Sequence, residues 1–150
     1  MNFGAGWRGA GVALLLCALP AMSGSALAQQ SLPESMVKEC AGTALEDCVV
    51  RRFKESPEAA MIRGRIVFQS YCVLCHGVTA EGNGRAARLH NPPPANLVLS
   101  KMPAQYFEQI IRKGGEAMGR YRGMPPWGEQ LTDEQVGDVI HYLMSVRRPG

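Results

Sequence analysis

No stretch of this chain holds the roughly 20 consecutive apolar residues needed to cross a bilayer. Its one extended apolar run, AGVALLLCALPA near the N-terminus, falls short of that length. Convincing strand alternation is also missing, as are internal repeats and long low-complexity segments. With no period-two pattern to build a sheet, the reading left is an all-α fold. Charge is sparse: charged residues make up 19% of the chain and the net charge is only +3. A nucleic-acid binder needs a strong basic patch, so that class is set aside.

What is present begins at the N-terminus. Over Met1 to Ala28 the only charge is Arg8, the apolar run follows, and small residues lead to Ala26-Leu27-Ala28. Positive, apolar, then small-x-small is the order of a secretory signal peptide, with cleavage expected after Ala28 and the periplasm as destination. An uncleaved anchor fits less well because the run is short. A lipidated Cys17 fits less well again, because Leu16 stands where a small residue belongs. Removal of residues 1–28 leaves no membrane span and a net charge of +2. It also leaves Cys40, Cys48, Cys72 and Cys75 in an oxidising compartment.

Three helices can be placed in the remainder. Ser56-Pro57-Glu58 supplies a capping hydroxyl, a first-turn proline and an acid near the helix N-terminus. The apolar pattern then runs through Ile62, Val67, Phe68 and Tyr71. A second helix is predicted from Pro103 to Lys113 and stopped by Gly114-Gly115. The third follows a capping box, Thr132 with Gln135, and carries Val136, Val139, Ile140, Leu143 and Met144 at helical period. Between them lie two long loops, EGNGRAARLHNPPPANL and EAMGRYRGMPPWGEQ. Ordered loops of that length need a common object to wrap, which hints at a large ligand.

The stretch SYCVLCHG, Ser70 to Gly77, says what that object is. A redox dithiol wants its Cys-x-x-Cys at a helix N-terminus after a strand, whereas this pair ends a helix. Zinc wants four ligands, and Cys40 and Cys48 lie in another segment at a different spacing. Cys-x-x-Cys-His is the attachment motif of c-type haem. Two thiols one turn apart, Cys72 and Cys75, match the two vinyl groups on one porphyrin edge. His76 then follows as proximal ligand to the iron.

The opposite axial position has several candidates. His141 lies on the last helix and reads as a helix-face residue. His90 sits in the proline loop, on the proximal side. Met102 and Met118 read as packing residues, with Met118 the runner-up ligand. Met124, in RGMPPWGEQLT, is carried on a loop stiffened by Pro125-Pro126 and anchored by Trp127. It is the expected distal ligand.

CVLCHG, then GNG and a proline-rich stretch, then GMPPWGEQLTDEQVGDVIHYL together resemble a class I cytochrome c, closest to the small bacterial periplasmic monohaem cytochromes. The resemblance covers roughly residues 57–146. It implies three main helices and long loops wrapped around one covalently bound haem c, with Cys72 and Cys75 in thioether linkage and His76 and Met124 axial. It implies that Gly64, Phe68, Tyr142 and Leu143 mark a crossing of the first and last helices. It also implies a proline carbonyl accepting the proximal histidine's other ring proton; of Pro92, Pro93 and Pro94, the expectation falls on Pro94.

The sequence thus divides into a signal peptide (1–28), an N-terminal extension (29–56) and a cytochrome c domain (57–150). Cys40 and Cys48, in CAGTALEDC, are expected to form a disulfide. Filled axial positions leave no vacant iron site, which suits one-electron transfer and not substrate chemistry. The expected role is therefore an electron carrier, not an enzyme, working between a dehydrogenase or quinol-oxidising donor and an oxidase or reductase acceptor. A haem subunit bound permanently in a larger oxidoreductase is the alternative, and a small peroxidase-like enzyme is a weaker one. Arg85, Arg88, Lys113, Arg120 and Arg122 flank the motif and the Met124 loop, where they could steer an acidic partner.

Overall fold

The computed structural model describes residues 32–148. The expected signal peptide lies outside them. Ser56 accepts a hydrogen bond from the Ala59 N–H (3.1 Å), and with Pro57 in the first turn it starts the longest helix, α3 (Pro57–Tyr71). Before it come α1 (Glu34–Glu39) and α2 (Leu45–Arg52); after it come α4 (Val73–His76), α5 (Ala104–Ala117) and α6 (Asp133–Ser145). A 3-10 turn spans Ala87–Leu89, and there is no strand among the described residues. None of these helices is long and apolar enough to cross a membrane. The three predicted helices are α3, α5 and α6.

The sequence reading did not foresee α1 and α2. Neither has a side-chain N-cap: Pro33 and Ala44 hold those positions. A disulfide between Cys40 and Cys48 (Cα–Cα 5.8 Å) ties the two helices together. Met36, Cys40 and Val49 bury themselves against Ala59 and Ile62 in the first half of α3. Arg52–Glu39 (3.1 Å) and Arg65–Glu46 add ion pairs within the segment and from α3 to α2.

The main body is set by the crossing of α3 and α6. A Cβ on Gly64 would overlap the Asp138 carbonyl oxygen and touch the Tyr142 Cβ, so only glycine lets the backbones approach this closely. Phe68 packs on Tyr142 with ring centroids 5.4 Å apart. Asp138, only 6% exposed, receives two hydrogen bonds from Arg63, from Nε (2.7 Å) and Nη2 (3.0 Å). Such a forked pair satisfies a buried carboxylate that would otherwise be destabilising. The same guanidinium donates to the Lys54 carbonyl (2.8 Å), so one side chain joins the extension, α3 and α6. At the start of α6 the capping box forms as predicted: Thr132 Oγ1 accepts from Gln135 N (3.2 Å), and Gln135 Oε1 accepts from Thr132 N (2.9 Å).

The helix α5 lays Phe107 and Ile111 into the core, then kinks at Gly114 (φ 78°), where the sequence predicted its end. Arg112 bridges to Asp133 (2.8 Å), fixing α5 beside α6. The long loop after α4 is held by backbone bonds to the motif itself. Gly82 N donates to His76 O (2.8 Å), Gly84 N to Cys75 O (3.0 Å) and Ala86 N to Leu74 O (2.9 Å).

Candidate haem-binding site

Helix α3 ends at Tyr71, and Cys72 serves at once as its C-cap and as the N-cap of α4. Cys75 N (3.2 Å) and His76 N (2.9 Å) both donate to Cys72 O. One turn of backbone therefore carries both thiols and the imidazole. Cys72 and Cys75 are free thiols, each half-buried. Burial pushes the Cys72 thiol up to about 12, with the neighbouring Cys75 adding to the effect, so it stands as a neutral S–H.

His76 Nδ1 lies 3.1 Å from the Ala95 carbonyl oxygen. A carbonyl only accepts, so Nδ1 carries the ring proton. Burial holds the His76 pKa below the usual histidine value, and the bond to Ala95 offsets part of that. The ring is thus a neutral imidazole with its lone pair on Nε2, the form in which histidine binds a metal. The carbonyl expected here was that of Pro94, and the structure moves it one residue on. Pro94 O lies against Gly82, where a Cβ would overlap it. In a proline run every residue offers a carbonyl and none an N–H, so composition alone does not set the register.

Beside the motif lies a cavity of about 350 Å³. Phe68, Leu97, Phe107, Ile111 and Leu143 line it, together with Pro92 and Pro93. Cys72, His76 and Met124 open onto the same space. Arg120 is the one lining residue with a fixed charge. Met124 is held from behind: its carbonyl accepts from Gly115 N (2.9 Å), and Trp127 N donates to Ile111 O (2.8 Å). Gly115 is required for that approach, since a Cβ there would overlap Tyr121 O. Trp127 also packs edge-on against Tyr71 at 5.4 Å.

The other candidates fall elsewhere. Met118 caps α5 and does not line the cavity. His141 is exposed on α6, and His90 contacts Cys75 without lining the cavity. Met102, expected only to pack, does line it; with Ala95 it is a site residue that the sequence reading missed. Among the described residues no three His, Cys, Asp or Glu side chains converge on a metal-ion site. The donor set fits haem c instead: two thiols one turn apart, a neutral imidazole, a thioether and an apolar cradle.

The family comparison agrees. The family model described as cytochrome C oxidase, cbb3-type, subunit III matches residues 59–143. The cbb3-type cytochrome c oxidase subunit FixP of Sinorhizobium medicae is 29% identical over 90 residues, which cover 58% of this chain and 30% of that protein. The chain therefore spans less than a third of that relative's length. Among solved structures, the reducing HAO-like protein complex of Kuenenia stuttgartiensis aligns at a TM-score of 0.48 and 27% identity, over 57% of this chain and 41% of that one. With the motif, the cradle and the all-α fold in place, the chain belongs to this family and is a class I c-type cytochrome, an electron-transfer protein of the kind that holds haem c covalently.

Proposed function

We propose that this chain is an exported one-electron carrier with a single haem c. In this reading Cys72 and Cys75 hold the porphyrin by thioether bonds, and His76 and Met124 are the axial ligands. One observation carries it: Cys72, His76 and Met124, from segments some fifty residues apart, open onto the same apolar cavity. A haem bound there supplies a one-electron iron couple whose potential His/Met ligation raises. The chain's own part is positional. Ala95 O orients the imidazole, Gly115 N holds the Met124 segment, and Phe68, Phe107 and Leu143 keep water out.

The rim suits an acidic redox partner. Arg85, Arg88, Lys113, Arg120 and Arg122 are all exposed, and none forms an ion pair among the described residues. A dehydrogenase or quinol-oxidising donor and an oxidase or reductase acceptor are the partners proposed, met in the periplasm. A second reading, a subunit bound within a larger oxidoreductase, is favoured by the relative named as an oxidase subunit. Gel filtration of the native protein from its source separates the two.

The test of the ligand set is an optical spectrum of holoprotein matured in a periplasm. A long-wavelength methionine-to-ferric-iron band is expected, and it should vanish in Met124→Ala. A high-spin spectrum in the unmodified protein would overturn the carrier reading and point to peroxidase chemistry.

A further inference from the structure

His90 is the one histidine near the cavity that the electron-carrier reading leaves without a task. It follows the 3-10 turn and sits half-buried between the attachment motif and the Met124 loop, which also meet where Trp127 packs on Tyr71. On one side its Nε2 lies 3.7 Å from Cys75 Sγ. On the other, its ring meets Tyr121 edge-on, with centroids 5.7 Å apart. Behind that contact Gly123 comes so close that a Cβ there would lie 2.8 Å from His90 Nδ1. Tyr121 and Gly123 belong to the loop that carries Met124.

That loop is otherwise anchored by its backbone to α5 alone. Gly115 N bonds Met124 O, Trp127 N bonds Ile111 O and Gly128 N bonds Arg112 O. No backbone hydrogen bond joins residues 119–128 to the attachment motif or the proline loop among the described residues. His90 makes that connection with its side chain on the Tyr121–Gly123 part of the loop, as Trp127 does further along it through Tyr71.

We propose that His90 is a positioning residue, a clasp that closes the Met124 loop against the haem-attachment motif. The proposal rests on the ligand reading above. Once Cys75 is in thioether linkage its sulfur has no proton, so His90 Nε2–H is the only possible donor between them. The imidazole edge meanwhile packs Tyr121, a contact of the kind that adds stability beyond area burial. With the clasp closed, the loop keeps the Met124 sulfur in place; released, it would let that sulfur swing away more often.

Displacement of Met124 by added imidazole in ferric holoprotein, followed by loss of the methionine–iron band, tests this. In His90→Ala the displacement should speed up about tenfold, the size that losing one aromatic contact and one weak hydrogen bond allows. His90→Phe keeps the aromatic edge and should recover part of the effect. His90→Ala in a Tyr121→Leu background should add little, because the contact is already gone. An unchanged displacement rate in His90→Ala would overturn the clasp. Hydrogen exchange gives a readout that does not need the Met–iron bond: His90→Ala should quicken exchange in residues 119–124 and leave α3 and α6 as they were. Equal acceleration everywhere, or none in that loop, would also overturn it. If the unmodified protein lacks the methionine band while exchange responds as expected, it is the axial assignment that fails and not the clasp.

Discussion

In residues 32–56 the buried side chains Met36, Cys40 and Val49 meet one another and α3, and a disulfide closes the pair of helices that carry them. In the body, by contrast, four core residues, Phe68, Phe107, Ile111 and Leu143, line a cavity. The loops around that cavity, residues 77–103 and 118–132, contain only one 3-10 turn of regular structure. The first region carries its cohesion in its own covalent chain. The second is organised around the cradle, so much of its order is expected to come with the cofactor.

The sharpest way to break this contrast is to prevent haem attachment. In Cys72→Ser/Cys75→Ser, residues 77–103 and 118–132 should lose most of their hydrogen-exchange protection, while amides of α2 keep theirs. Protection unchanged in both loops would show that the body, too, is self-sufficient. A smaller but still large effect is expected at the helix crossing that both regions lean on. Gly64→Ala forces a methyl onto the Asp138 backbone carbonyl, which cannot swing aside, and should lower holoprotein stability by about 3 kcal/mol, read from urea unfolding. The smallest change should come from the extension. Opening the Cys40–Cys48 loop in Cys40→Ser/Cys48→Ser should destabilise α1 and α2 by about 2.5 kcal/mol. It should leave the methionine band and the potential of the body where they were. A shift in potential would show that the two regions are coupled more tightly than their packing implies.

What the sequence revealed, and what it did not, follows the same division. The starts of α3 and α6 were legible because Ser56 and Thr132 make local bonds that depend on three or four neighbouring residues. The break in α5 was legible because Gly114 takes a positive φ there, although the helix resumes to Ala117. Helices α1 and α2 were not: they are short, lack side-chain caps, and owe their form to a cross-link and to burial on α3. In the candidate site, Cys72, Cys75 and His76 declare themselves through spacing, which backbone geometry turns directly into position. Ala95 and His90 do not. Their roles depend on the path of the proline loop in three dimensions, for which a run of prolines supplies stiffness but no register.

The disulfide has a bearing on how the four cysteines of the described residues reach the right chemistry. Cys40 and Cys48 are eight residues apart, while Cys48 and Cys72 are separated by three times that. Closing the longer loop costs about 1 kcal/mol more in chain entropy, so scrambling between the extension and the motif is disfavoured from the outset. The extension also precedes the motif in the chain, so on the proposed export a polypeptide emerging N-terminus first would offer the Cys40–Cys48 partnership to oxidants before the second pair arrives. On the exported haem-c reading proposed above, the short helical hairpin would act as a sorting device: it withdraws two cysteines from circulation and leaves the two beside His76 for the cofactor.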